Sequence, residues 1–113
     1  MARDDYYVIV YQILAYLYQC LKKGKDVNPD EISADCTMYR INQKYWEYII
    51  VNMYKQGLID GISLIEIDNY GYKIARLECC QITPTGIAYL NENSFIQKAK
   101  ELFKDVKDIV PFI

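Results

Sequence analysis

Apolar residues in the first part of the chain recur with the spacing of a helix. Ile9, Ile13, Leu17 and Leu21 lie four positions apart, which predicts a long helix over residues 4–23. A second apolar set lies on a neighbouring face: Tyr7, Val10, Leu14 and Tyr18. A helix that is apolar over more than half of its circumference needs cover on two sides. We therefore expect it to contact both the core and another helix or another chain.

Two further helices are marked by their start and stop residues. Asn28 is a capping residue, and the proline that follows it suits the first position of a short helix over residues 29–34. Asn42 and Gly57 similarly flank a longer helix over residues 42–56. The predicted inward face of the longer helix consists of Trp46, Ile49, Ile50 and Met53. Its predicted outward face consists of Gln43, Lys44, Glu47, Tyr48, Val51, Asn52 and Lys55.

Strand patterning replaces the helical spacing after Gly57. β-Branched residues and alternation over residues 62–82, with turn residues at 68–71, predict one β-hairpin. Thr83 then caps a helix that is expected to end at about residue 90.

A last amphipathic helix is predicted over about residues 94–110, with Ser94 as its cap. Its apolar positions alternate in steps of three and four, as in a short coiled-coil seam. The expected fold is α+β, mainly α: a winged helix-turn-helix with a long N-terminal helix and a C-terminal amphipathic helix. We expect residues 1–113 to form a single domain, with the hairpin as the wing.

Three short motifs link the chain to a known family. They are residues 41–46 (INQKYW), residues 55–59 (KQGLI) with Gly61, and residues 82–90 (ITPTGIAYL). The charged helix over residues 98–109 fits with them. In these segments the chain resembles the YjcQ family, small winged-helix proteins of Gram-positive bacteria and their phages. The resemblance implies the winged-helix fold, a prophage-type context and a presumed DNA-binding role, with no enzymatic activity or cofactor.

The winged-helix plan gives specific candidates for DNA contacts. The second helix of the turn enters the major groove, where Gln and Asn can address adenine and Lys can address guanine. Arg and Lys beside that helix and on the wing can contact phosphates. We expect DNA contacts from Arg40, Gln43, Lys44, Glu47, Tyr48, Asn52, Lys55, Tyr70, Tyr72, Lys73 and Arg76. For Tyr70 and Tyr72, a simple capping role on the hairpin is an open alternative.

The charge of these segments argues against tight binding by a single subunit. The chain has a formal net charge of -2. Residues 40–56 carry three basic side chains and one acidic one, and residues 62–78 carry two basic and three acidic ones. Proteins that bind duplex DNA strongly neutralise about 6–10 phosphates, so we expect a homodimer if the protein binds DNA. The alternative is a winged-helix protein–protein interaction module, such as a phage-type modulator, that does not bind DNA.

Apolar residues at the C-terminal end support the dimer. Residues 109–113 are apolar, whereas chain ends are normally polar. We predict a dimer interface formed by Tyr7, Val10, Leu14, Tyr18, Phe103, Val106, Val110, Phe112 and Ile113. Packing of the tail onto the first helix of its own chain is the alternative.

The composition excludes several kinds of chemistry. The chain has no histidine, which removes Ser-His-Asp and Cys-His catalysis and His-ligated metals. The four cysteines include no C-x-x-C pair, so we expect reduced, mostly buried thiols and no metal. Paired acids occur only where helix starts favour them, and the glycines form no phosphate-binding loop. We predict no enzymatic activity and no cofactor.

The N-terminal sequence also bears on the compartment. It lacks the cationic and apolar regions of a signal peptide, and its longest apolar stretch is interrupted by glutamines. We expect a soluble, cytoplasmic protein without a membrane partner.

Overall fold

The first helix, α1 (Tyr6–Lys23), lies at the centre of the molecule. The structure, a computed structural model, describes residues 2–67 and 71–104. The helix begins two residues later than predicted, because Asp5 has extended backbone (φ -63°, ψ 147°) and occupies the N-cap position. It ends at Gly24 in the left-handed conformation (φ 65°), which is typical of a helix C-terminus.

The helix-turn-helix follows as predicted, with a shorter first helix. A 3-10 helix spans Pro29–Ile32, and Asn28 caps it by accepting from the Asp30 backbone N–H at 3.1 Å. The second helix, α2 (Gln43–Lys55), is capped by Asn42, whose Oδ1 accepts from the Tyr45 backbone N–H at 2.8 Å.

Trp46 fastens α2 to the preceding 3-10 helix. Its side chain is only 6% exposed, and its indole N–H donates to the Ile32 backbone oxygen at 2.7 Å. The prediction that Trp46 faces the core together with Ile49, Ile50 and Met53 is confirmed, since all three are fully buried. The bulk of the indole therefore sets the position of α2, and its polar N–H is satisfied in the interior.

The wing differs from the continuous hairpin that was predicted over residues 62–82. Strand β1 (Ile59–Asp60) pairs antiparallel with β4 (Gln81–Ile82), and β2 (Ser63–Glu66) pairs antiparallel with β3 (Tyr72–Ala75). Two residues separate the paired segments on the outgoing side and five separate them on the returning side. The two pairs form a ribbon whose returning side is interrupted.

Packing explains the interruption. Arg76 takes a left-handed conformation (φ 60°) and is followed by a 3-10 helix over Leu77–Cys79. These residues bring Cys80 into the core, where it is fully buried. Gly61 (φ 88°) lies against this segment, and a Cβ there would collide with the Cys79 backbone oxygen. The extra residues are accommodated because a glycine allows the two backbones to approach closely.

Two consecutive helices complete the described chain. Helix α3 (Pro84–Glu92) is capped by Thr83, which accepts from the Gly86 backbone N–H at 3.0 Å. Helix α4 (Ser94–Glu101) is capped by Asn93 and not by Ser94 as predicted. The Asn93 Oδ1 accepts from the backbone N–H groups of Phe95 and Ile96, at 2.9 and 3.1 Å. Ser94 is therefore the first helical residue. The predicted end of this helix lies outside the described residues.

The apolar faces of α1 are covered within one chain. Helix α1 contacts α2, α3, α4 and β4, so both predicted faces are satisfied by neighbouring elements. Val10 and Leu14 are fully buried, and Phe103 is buried and stacked on Tyr11 with ring centroids 5.7 Å apart. The prediction that these three residues form a dimer interface is wrong, because their side chains have no surface left for a second chain. Tyr7 and Tyr18 are half-buried.

Five predicted contact residues cannot be placed. Tyr70 among the DNA contacts, and Val106, Val110, Phe112 and Ile113 among the dimer contacts, lie outside the described residues. In the described part of the chain, no helix has both the length and the apolarity needed to cross a membrane.

Candidate nucleic-acid interface

The outward face of α2 and the neighbouring strand β3 form an open groove of about 380 Å³. Its lining residues are Lys44, Glu47, Tyr48, Val51, Asn52, Lys55, Gly71 and Tyr72. Val51 is only 8% exposed, so its predicted place on the outward face is wrong. The reason is that α2 packs on the core with one side and against the ribbon with another, which leaves Val51 at an apolar floor between them.

Two lysines give the groove its positive charge. Lys44 is exposed on the first turn of α2. Lys55, on the last turn, places its Nζ 5.0 Å from the centre of the Tyr72 ring. This cation–π contact brings the wing to the end of the helix and leaves the ammonium group at the rim of the groove.

The amides on α2 already have hydrogen-bond partners. Gln43 Nε2 donates to Glu47 Oε2 at 3.1 Å, and Asn52 Nδ2 donates to the Tyr48 backbone oxygen at 2.8 Å. Both bonds are exposed to water. Exposed hydrogen bonds contribute little net free energy, so a ligand can replace them at low cost.

Three of the predicted basic contacts lie outside the groove lining. Arg40 pairs with Asp35 across 3.4 Å, but the two side chains are 84% and 67% exposed, so the pair is weak. Lys73 follows Tyr72 on β3 and therefore points to the opposite face of the ribbon. Arg76 lies beyond the end of β3. The structure thus brings together Lys44, Glu47, Tyr48, Asn52, Lys55 and Tyr72, and it leaves Arg40, Lys73 and Arg76 apart from them.

A second surface begins at Tyr48 and leads away from the groove. Tyr48 contacts Tyr6 edge-on (centroids 6.2 Å apart), Tyr6 contacts Tyr7 (5.1 Å), and Tyr7 stacks on Phe95 (4.8 Å, 14° between planes). We call these four residues the aromatic row. Sequence reasoning missed it because its members come from α2, α1 and α4. The one available signal was the adjacent pair Tyr6–Tyr7 at the start of an otherwise apolar helix.

Comparison with known proteins shows which family the chain belongs to. The family model described as "YjcQ protein" matches residues 11–109. The chain belongs to the YjcQ family. The resemblance found in the sequence is thereby confirmed, and the fold is compatible with a winged helix. No curated protein and no solved structure matches the chain.

Two tyrosines of this YjcQ-family protein, Tyr6 in the aromatic row and Tyr89 near it, have raised pKa values. Burial raises the pKa of Tyr6, nearby tyrosine hydroxyls raise it further, and a hydrogen bond from Gln56 opposes them. Burial likewise raises the pKa of Tyr89 to about 12, with smaller contributions from Tyr7 and Tyr6. Both hydroxyls therefore stay protonated.

A separate cavity of about 150 Å³ lies at the end of α1, and its lining includes Cys20, Cys79 and Cys80. Burial raises the pKa of the Cys80 thiol to about 12, and the Asp60 carboxylate adds to the shift, so this thiol is unreactive near neutral pH. Cys20 is also buried, whereas Cys36 and Cys79 are half-buried. Among residues 2–67 and 71–104, no three cysteine or acidic side chains are placed to hold a metal ion.

Proposed function

We propose that this YjcQ-family protein binds duplex DNA as a homodimer, in the manner of a transcription regulator. In this proposal α2 enters the major groove and the ribbon lies along the adjacent backbone. The observation that carries the proposal is the exposed face of α2, where Lys44, Tyr48, Asn52 and Lys55 lie beside Tyr72 of the wing.

Each of these groups matches a feature of DNA. Lys44, near the N-terminal end of the helix, is suited to guanine O6 and N7. Asn52 can pair with adenine once its amide leaves the Tyr48 backbone oxygen. Lys55 at the rim is suited to a phosphate. Among the described residues that line the groove, Glu47 is the one acidic residue, and we expect it to accept from cytosine N4 or to repel wrong sequences.

The number of basic groups supports a dimer in this role. Among the described residues, a single groove offers two lysines, and Arg40, Lys73 and Arg76 are three further basic residues outside its lining. These five basic residues are fewer than the about 6–10 phosphates that strong binders neutralise. Two subunits on one duplex would double the count and would match a palindromic site.

Fluorescence anisotropy with a labelled mixed-sequence duplex, repeated over a series of salt concentrations, tests the proposal. We expect binding that weakens steeply with salt, and we expect Lys44→Ala to lower both affinity and salt slope. The matched control is Lys100→Ala, an exposed lysine on α4 that lines a different groove with Tyr18 and Lys22. Equal effects of the two substitutions, or no binding at low salt, would contradict DNA binding through α2.

The second candidate function is a protein–protein interaction module that does not bind DNA. It is supported by the acidic Glu47 among the residues expected to contact DNA bases, and by the aromatic row that begins on the same helix. Aromatic residues are enriched in the cores of protein interfaces, where charges are depleted. Loss of DNA binding in the low-salt experiment would favour this candidate.

A further inference from the structure

We propose that a second groove, between α1, α3 and α4, holds residues 105–113 of the same chain. We call these residues the C-terminal segment, and they lie outside the described residues. The second groove has a volume of about 270 Å³, and its described lining residues are Tyr11, Ala15, Tyr18, Gln19, Lys22, Leu90, Asn91 and Lys100. None of these residues belongs to α2 or to the ribbon, so an occupant leaves the proposed DNA contacts free.

The described part of the chain ends beside this second groove. Phe103 stacks on Tyr11, and Tyr11 is the first residue of α1 in the groove lining. From Tyr11 to Lys22, the groove follows α1 for about 16 Å along the helix axis. The nine residues of the C-terminal segment can span up to about 30 Å when extended. The segment is therefore long enough to follow the whole groove from the place where it starts.

The base of the second groove is apolar, and so is most of the C-terminal segment. Tyr11 and Leu90 are buried, and Ala15 and Tyr18 are half-buried beside them. Six of the nine residues in the segment are apolar: Val106, Ile109, Val110, Pro111, Phe112 and Ile113. Apolar side chains gain free energy in proportion to the surface that they remove from water, so these residues favour such a base over solvent.

The rim of the second groove is basic. Lys22 and Lys100 are both exposed, and the lining includes no acidic side chain among the described residues. The Lys22 Nζ lies 4.3 Å from the centre of the Tyr18 ring, and this cation–π contact holds the ammonium group at the groove. Glu101 follows Lys100 in the chain but is paired with Lys104 across 2.8 Å. The two lysines of the rim are therefore suited to acidic side chains of an occupant.

The C-terminal segment supplies two acidic side chains, Asp105 and Asp108, and one basic one, Lys107. Asp105 comes soon after Lys100 in the chain, and Asp108 is three residues further on, which matches Asp108 to Lys22. A segment joined to its binding site by a short linker has an effective concentration in the millimolar range. Contacts that would be too weak to hold a separate peptide are therefore sufficient to hold this one.

NMR spectroscopy of the full chain tests the occupant. We expect nuclear Overhauser contacts from the methyl groups of Ile109 and Val110 to the ring of Tyr18. A sample that mixes isotope-labelled and unlabelled chains separates contacts within one chain from contacts between two chains. Contacts found only between chains would overturn the proposal in favour of a second copy. The absence of any contact from the segment to Tyr18 would overturn the docking itself.

A charge exchange tests the match between the rim and the segment. Lys22→Glu should lower the intensity of these contacts about twofold, since an exposed ion pair contributes little free energy. Lys44→Glu is the matched control, because Lys44 is an exposed lysine that lines the groove on α2. Adding Asp108→Lys to Lys22→Glu should restore the intensity, because the pair returns with reversed signs. Equal losses in Lys22→Glu and Lys44→Glu, or no recovery in the double variant, would overturn the placement of Asp108 at Lys22. None of these measurements contains DNA, so failure of DNA binding would contradict the proposed function and leave this inference standing.

Discussion

The groove and the aromatic row share Tyr48, yet they are built in opposite ways. In the groove, polar side chains form exposed hydrogen bonds and a cation–π contact over an apolar floor. In the row, rings from three helices are fixed against one another. Exposed polar pairs can be exchanged for ligand contacts, whereas fixed rings offer a permanent apolar surface. One face of α2 thus leads to two surfaces suited to different partners.

The largest effect that we expect comes from Trp46, the buried residue that anchors α2. Trp46→Ala should lower the free energy of unfolding by about 3–5 kcal/mol, because it leaves a cavity under α2. Trp46→Phe is the control, since it keeps much of the volume and removes the indole N–H bond to Ile32. Chemical denaturation measures both variants. A small loss in Trp46→Ala would mean that the indole does not hold α2.

A substitution in the ribbon should affect the groove and leave the aromatic row unchanged. Gly61→Ala places a Cβ against the Cys79 backbone oxygen at φ 88°, so we expect a loss of at least about 1–3 kcal/mol and weaker ligand binding in the groove. Gly24→Ala is the matched control, because Gly24 also has a positive φ (65°) but nothing within 4 Å of the added Cβ. The ring contacts of the aromatic row should be unaffected in both variants that remain folded. Equal stability losses would show that the close approach at Gly61 contributes nothing.

Two helix caps give a smaller and more symmetrical comparison. Asn42 caps α2 and Asn93 caps α4, so each alanine substitution should cost about 1 kcal/mol of stability. Asn42→Ala should weaken DNA binding more than it disturbs the ring contacts of the aromatic row, and Asn93→Ala should do the reverse because it loosens the turn that carries Phe95. Denaturation, anisotropy and NMR contacts between the rings, on the same preparations, measure these effects. If both variants lose more of the same property, DNA binding or ring contacts, the two surfaces do not act separately.

A further effect is confined to alkaline pH. Burial raises the pKa of Tyr11 and of Tyr89 from 10 to about 12. Because the folded state holds these protons more tightly, the stability they contribute is complete below pH 10 and is lost as the pH rises towards 12. Tyr11→Phe, in the core, should flatten this loss more than Tyr89→Phe, beside the aromatic row. The measurement is the denaturation midpoint as a function of pH across this range. If the midpoint falls equally steeply with pH in wild type and in Tyr11→Phe, the raised pKa of Tyr11 is contradicted.

Much of the local structure follows from the sequence. The caps at Asn28, Asn42 and Thr83 are as predicted, because capping acts within a few positions of the chain. The core face of α2 also follows from its spacing. The cap of α4 was missed because Asn93 and Ser94 are both good capping residues, and the difference is one position.

The surfaces of the molecule depend on how distant elements pack together. Burial of Val10, Leu14 and Phe103 depends on how α1, α3 and α4 pack, and the break at Arg76 depends on Cys80 entering the core. The aromatic row depends on three helices meeting. Local patterning along the chain predicts where the elements begin and which faces are apolar, since periodicity and capping are short-range. Which apolar face is covered within the chain, and which is left for a partner, is a long-range outcome of packing.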